Sequence, residues 1–179
     1  QWIREGKEYS FGHLEQMAAD AKPFKALIDP DAPEFVPAGN IPERIRRYCR
    51  ESGQRVPENE AEIVRCIDES LAFKYRMTLE EIKMCTGREY PAIHMVGGGT
   101  QSGLLCQMTA NACHCPVIAG PVEATVLGNA AVQLLAAGEL RDLDQVRSVA
   151  GASAKVSIYE PKDTDQWEQV YGQYKKMLE

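Results

Sequence analysis

The chain has 179 residues and a mass of 19.9 kDa, enough for one sizeable core or for one domain with a small appendage. Its 20 Lys+Arg stand against 26 Asp+Glu, for a formal net charge of −6 and a pI of about 5.2; that balance argues against nucleic acid as a partner and against a polybasic membrane anchor. Hydrophobic residues make up 44% and charged residues 26%, no apolar run nears the roughly 18 residues of a membrane span, and no signal-peptide pattern is visible, so a cytoplasmic globular protein is expected.

The chain opens on Gln1, and its first ten residues, QWIREGKEYS, read like the end of a helix, so a piece of a longer protein is expected. Ser10 can cap a helix reaching about Lys22, with Leu14, Met17, Ala18 and Ala21 on one face. Residues 27–40 are rich in Pro, Asp and Gly and read as an extended loop. Asn40 then caps a helix with Pro42 in its first turn, where a missing N–H costs nothing, and Gly53 stops it. The longest periodic segment runs over residues 59–86. Ile63, Ile67, Leu71 and Ile82 form one apolar stripe and Phe73 and Met77 a second, which predicts a central helix buried on two sides and ended by Gly87.

Residues 92–96 (AIHMV) read as a strand, followed by three glycines and a helical pattern over 102–112. A second strand is predicted at 116–119, an Ala-rich helix at 124–137, a further helix at 143–150 and a third strand at 155–159. The last segment is an amphipathic helix from about Thr164 with Trp167, Val170, Tyr174 and Leu178 as its buried stripe. Strands alternating with helices indicate the α/β class.

Six cysteines stand at 49, 66, 85, 106, 113 and 115. A structural zinc site needs two close pairs, whereas Cys113-His114-Cys115 stands alone, so no metal site is expected. Cys49 and Cys66 lie on neighbouring predicted helices and can meet, with reduced, buried thiols as the default.

Chemical information concentrates in Val96-Gly97-Gly98-Gly99-Thr100-Gln101-Ser102-Gly103. Glycines permit positive φ and let a flat ligand lie on bare backbone. The helix that follows turns its N–H groups and positive dipole end toward the loop, an arrangement that favours an anion. A nucleotide site is the physical reading, and a tight strand-to-helix turn without a ligand is the alternative. A phosphate-cradling loop would need G-x-x-x-x-G-K-[ST], but Gly103 is followed by Leu104 and Leu105, with no lysine. A dinucleotide fingerprint would need a third glycine where Ser102 stands, although Glu123 could imitate the ribose-binding acid. A third template is the G-G-G loop on which adenosine lies over glycine backbone between two helices. Downstream, Gly120-Pro121 fixes a turn, Glu123 opens a helix, and Gly128, Ala130 and Ala131 predict close helix packing.

The run IHMVGGGTQSGLLCQMTANACHCPVIAGPVEATVLGNAAVQLLAAGEL resembles the C-terminal domain of FGGY-type carbohydrate kinases, and within that family the rhamnulokinase group. The stretch LIDPDAPEFVPAGNIPERIRRYCRESGQRVPENEAEIVRCIDESLA is similar to the segment that precedes the adenosine loop in that group. The resemblance implies part of a ribonuclease-H-like (actin-like ATPase) domain, with several helices packed on a short sheet. It further implies transfer of the γ-phosphate of ATP with Mg2+ to a sugar hydroxyl, here C1 of L-rhamnulose. Gly98 aligns with the adenosine-contacting glycine, flanked by Gly97 and Gly99, and Gln101 and Ser102 complete the nucleotide-binding set. Ser102 stands where relatives often carry asparagine, and a hydroxyl cannot supply both donor and acceptor of an amide. His114-Cys115 stands where relatives usually have glycine and arginine.

The family's catalytic aspartate, its Ser-Gly-Thr phosphate loop and most sugar contacts belong to the part equivalent to what precedes Trp2. Asp20, Asp29, Asp31 and Asp68 do not match the catalytic motif, so no catalytic base is assigned here. Residues 1–58 are expected to form leading helices and a loop, and residues 59–179 the α/β core with the adenosine loop. The chain alone is expected to lack kinase activity. A non-catalytic nucleotide-binding or assembly module of the same fold, and half of a dinucleotide-binding oxidoreductase, are the rival readings.

Overall fold

A computed structural model describes residues 1–153 and 155–179. The first residues form a single 3-10 turn, Trp2–Glu5, stopped by Gly6 at φ 76°. Helix α1 (Phe11–Asp20) starts where the Ser10 hydroxyl accepts the His13 N–H. Helix α2 (Ile41–Glu51) starts where Asn40 accepts the Glu43 N–H, with Pro42 in the first turn. Asn59 likewise accepts the Glu62 N–H at the start of α3 (Glu60–Thr86), and Gly87 ends that helix in the left-handed region at φ 62°. Each capping oxygen satisfies one of the N–H groups that a helix leaves unpaired.

Strand β1 (Ile93–Met95) leads through the turn Gly98–Gln101 into α4 (Gly103–Cys113) and then β2 (Val117–Ala119). Helices α5 (Ala124–Ala136) and α6 (Leu143–Ser153), strand β3 (Ser157–Tyr159) and helix α7 (Thr164–Leu178) complete the chain. The sheet order is β1-β2-β3. β1 and β2 are parallel, with Ile93 opposite Val117, and β2 and β3 are antiparallel, with Val117 opposite Tyr159. A parallel pair needs a long crossover, which α4 supplies.

Three apolar clusters hold these elements. Phe73 of α3, Met108 and Ala112 of α4, and Trp167, Tyr171 and Tyr174 of α7 form the first. The Phe73 ring lies 5.1 Å from Trp167 and 5.2 Å from Tyr174, centroid to centroid. The second joins Ala26 and Ile28 to Ile45 and Cys49 of α2 and Ile63 and Cys66 of α3. The third lies beneath the sheet, with Cys106, Ala110, Val117 and Ala119. Cys49 and Cys66 do meet in the second cluster, as free thiols.

Two expectations are corrected. The buried line along α3 runs through Ile63, Cys66, Ser70 and Phe73, while Ile82 is 43% exposed and Met84 78%. The predicted stripe packs through Ile63 and Ile67 but fails at Ile82, where the end of α3 is exposed. Close packing at Gly128 is also absent: a Cβ there would meet no described atom within 4 Å, and α5 and α6 bury no residue among those described.

Candidate nucleotide-binding loop

The glycine loop is held from three sides. Gly97 adopts φ 82° and ψ −165°, a conformation essentially reserved for glycine. That turn lets the chain leave β1 and re-enter a helix within a few residues. The Gly97 N–H donates to the Pro121 carbonyl at 3.1 Å and the Gly120 N–H to the Met95 carbonyl at 2.8 Å, so the loop and the Gly120-Pro121 turn lie side by side. A Cβ on Gly120 would lie 3.4 Å from the Val96 side chain and 3.6 Å from the Met95 carbonyl oxygen, in ordinary contact. Within the loop, Thr100 donates its N–H (3.1 Å) and its hydroxyl (2.7 Å) to the Gly97 carbonyl.

Gly98, Gly99 and Gln101 are exposed. A Cβ on Gly98 would meet no described atom within 4 Å, and on Gly99 only the Met95 sulfur at 4.0 Å. Unlike Gly97, Gly98 does not have a positive φ. Its conformation therefore does not demand glycine, and its bare face is open to a planar group.

The start of α4 departs from the expected anion site. Glu15 of α1 places Oε1 2.6 Å from the Leu104 N–H, which donates to it. Ser102 accepts the Leu105 N–H at 3.1 Å and donates its hydroxyl to Glu15 at 3.5 Å. A carboxylate of the protein thus sits on the positive end of the helix, and the phosphate reading of that end fails because the charge is already met. The Ser102 hydroxyl is engaged both as acceptor and as donor, so its local role is to cap α4. Gly103 carries no side chain because a Cβ would lie 3.2 Å from the Tyr159 hydroxyl and 3.5 Å from Glu15.

α1 is anchored from α3. Arg65 donates to the carbonyls of Ala18 and Ala19 at 3.0 Å each and to Glu69 at 2.7 Å. Glu69, only 1% exposed, also accepts the Phe24 N–H at 2.9 and 3.1 Å. Burial pushes the Glu69 carboxyl up to about 7, against the pull of Arg65. Burial, then the charge of Glu15, raise the Asp68 carboxyl to about 6, against Arg65.

The structure brings Gly97, Gly98, Gly99, Gln101 and Ser102 together in one turn. Glu15 was missed by sequence reasoning: it lies 87 residues from Ser102, and its only signal was an acid beside Leu14 on the inward side of an amphipathic helix. Glu123 is the N-cap of α5, exposed and without a side-chain cap. His114 caps α4 at φ 55°, a conformation that suits glycine. Among the described residues no group of three or more His, Cys, Asp or Glu could hold a metal ion. A groove of about 460 Å³ lined by Phe24, Gln54, Tyr174 and Met177 shares no residue with the loop.

The chain is similar to known proteins in sequence and in fold. The rhamnulokinase of Bacteroides thetaiotaomicron is 40% identical over 169 residues, which cover 94% of this chain and 35% of that protein. The rhamnulokinase of Enterococcus faecalis is 38% identical over 160 residues, 88% of this chain and 32% of that protein. The chain therefore spans about a third of the length of these curated relatives. Among solved structures, a xylulose kinase from Rhodospirillum rubrum superposes with a TM-score of 0.68 at 16% identity, covering 98% of this chain and 35% of that one. A Plasmodium falciparum glycerol kinase with ADP gives 0.67 at 14%, covering 99% and 35%. These two show the fold alone, an actin-like ATPase fold. Residues 1–137 match the FGGY family of carbohydrate kinases, C-terminal domain, and it is to this family that the chain belongs.

Proposed function

We propose that the protein carrying this chain phosphorylates a ketose sugar with ATP, converting L-rhamnulose to L-rhamnulose 1-phosphate in the cytoplasm, and that this chain supplies the adenosine side of the ATP site. The observation that carries the reading is the loop itself. Gly97 makes the turn, Gly98 and Gly99 leave bare backbone facing outward, and the positive end of α4 is filled by Glu15. Such a site takes the uncharged, flat part of a nucleotide and leaves the phosphates to other groups. The identity to two rhamnulokinases supports the choice of sugar.

In this reading Gly97, Gly98 and Gly99 bear the nucleoside, with Gln101 beside them, and Ser102 acts chiefly as the helix cap. Mg2+ accompanies ATP and neutralises phosphate charge when bound. The sugar, the phosphate loop and the base that takes the hydroxyl proton belong to the part of the protein outside this chain. Residues 59–179 form the nucleotide-binding core and residues 1–58 buttress it. The test is ADP release from MgATP by the whole protein, expected with L-rhamnulose and not by the 179-residue chain alone. Turnover by the chain alone, or none by the whole protein with L-rhamnulose, would overturn the reading.

A further inference from the structure

Glu15 lies on a different helix from the glycine loop, yet its carboxylate is the group that meets the start of α4. Oε1 accepts the Leu104 N–H at 2.6 Å and the Ser102 hydroxyl at 3.5 Å. Ser102 in turn closes the loop, since its N–H donates to the Gly99 carbonyl at 3.2 Å. One side-chain oxygen therefore links α1 to the last residue of the loop and to the first turn of α4. The contact is crowded: the site of a Gly103 Cβ lies 3.5 Å from the same oxygen and 3.2 Å from the Tyr159 hydroxyl. α1 cannot drift away, because Arg65 clasps its last carbonyls and is itself held by Glu69.

A carboxylate in this place has two physical consequences. It fixes the angle at which the loop enters α4, so the bare face of Gly98 and Gly99 keeps one orientation. It also places a negative charge where a phosphate would otherwise be drawn to the helix dipole. A nucleotide on this loop is then favoured with its base and ribose against the glycines and its phosphates directed elsewhere.

We propose that Glu15 is a positioning residue for the nucleoside site: from α1 it sets the glycine loop through Ser102 and Leu104 and keeps the α4 terminus closed to the phosphates of the nucleotide. The proposal rests on the nucleoside reading of the loop given above. Glu15 has no role in proton transfer and touches no reacting atom.

The experiment is steady-state kinetics on the whole protein, varying ATP and sugar separately, for E15A, E15Q and G98V. Loss of a charge-assisted hydrogen bond that orients a site is expected to raise the ATP KM of E15A about tenfold, with kcat and the sugar KM within about twofold. E15Q keeps an oxygen acceptor for the Leu104 N–H but removes the charge at the α4 terminus, so its ATP KM should rise by about threefold, less than that of E15A, and an unchanged value overturns the role of the charge. An unchanged ATP KM in E15A beside a raised one in G98V overturns the role of Glu15 and leaves the nucleoside reading standing. Unchanged values in both variants overturn the nucleoside reading as well. A parallel fall in kcat with rises in both KM values means general damage and also overturns the proposal. Should E15A fail to fold, E15D decides: its shorter arm withdraws the carboxylate, so the ATP KM must rise about threefold or more at constant sugar KM, and an unchanged value overturns the proposal.

Discussion

Gly98→Val adds three carbons to the outward face of the loop at a position where the fold itself has no stake in glycine. A Cβ there meets no described atom within 4 Å, and Gly98 is not among the residues with positive φ. Replacing glycine at a compatible backbone conformation gains about 0.4–1 kcal/mol through the unfolded state, and a β-branched residue in a short turn gives back a similar amount. The net change in stability is therefore within about 1 kcal/mol, a shift in Tm of about 2 °C or less for a protein some three times the length of this chain. The cost falls on the ligand. Methyl groups forced into a planar contact surface carry a penalty of about 1–3 kcal/mol, which corresponds to a rise in ATP KM of about 5- to 150-fold. Thermal unfolding and ATP titration of the whole protein, at saturating sugar, measure the two quantities. An intact Tm with an unchanged ATP KM would show that the loop is a turn and nothing more. A collapse of the fold would show that Gly98 is required structurally, against the open space around it.

Three further outcomes follow from the same network. Gly97→Ala should lose about 1–3 kcal/mol in urea unfolding, because alanine strongly disfavours φ 82° with ψ −165°; Gly98→Ala should not. The folded pKa of Asp68, about 6, lies above the ordinary 3.8. The folded state then holds the extra proton between those values, and this contribution to stability is lost as pH rises from about 4 to about 6. Asp68→Asn should flatten that slope and raise stability at pH 7.5 by about 1–2 kcal/mol, read from unfolding midpoints across pH. Glu69→Ala leaves the Arg65 Nε–H and the Phe24 N–H without their acceptor while Arg65 keeps the Ala18 and Ala19 carbonyls, so a loss of about 2–3 kcal/mol is expected. The double variant Arg65→Met with Glu69→Leu should recover part of it, as measured by a double-mutant cycle.

Local chemistry made most of the elements legible. Ser10 and Asn40 announce helix starts because a short polar side chain reaches the third N–H beyond it, and both do so here, as Asn59 does at the start of α3. Gly87 announces a stop because it accepts a left-handed turn. The α7 stripe at Trp167, Val170, Tyr174 and Leu178 marked a packing face because its spacing follows the helical repeat; Tyr171 completes it in the core. On α3 the same method erred at Ile82. Periodicity reports which side chains share a face, and not how far along a helix the neighbouring layers extend.

The glycine loop divides in the same way. Three consecutive glycines between a strand and a helix are a local statement, sufficient in sequence to indicate a bare backbone face, and the long surrounding match pointed to the family. Which glycine the backbone conformation requires was undetermined until Gly97 was found at positive φ and Gly98 in open space. Glu15 depended wholly on the tertiary structure. Its partners lie 87 and 89 residues away, and only the packing of α1 on α3, locked by Arg65, brings a carboxylate onto the dipole of α4. Sequence determines where backbone can turn and which faces are apolar, because those are properties of neighbouring residues. The charge that meets the helix end depends on contacts between elements far apart in the chain.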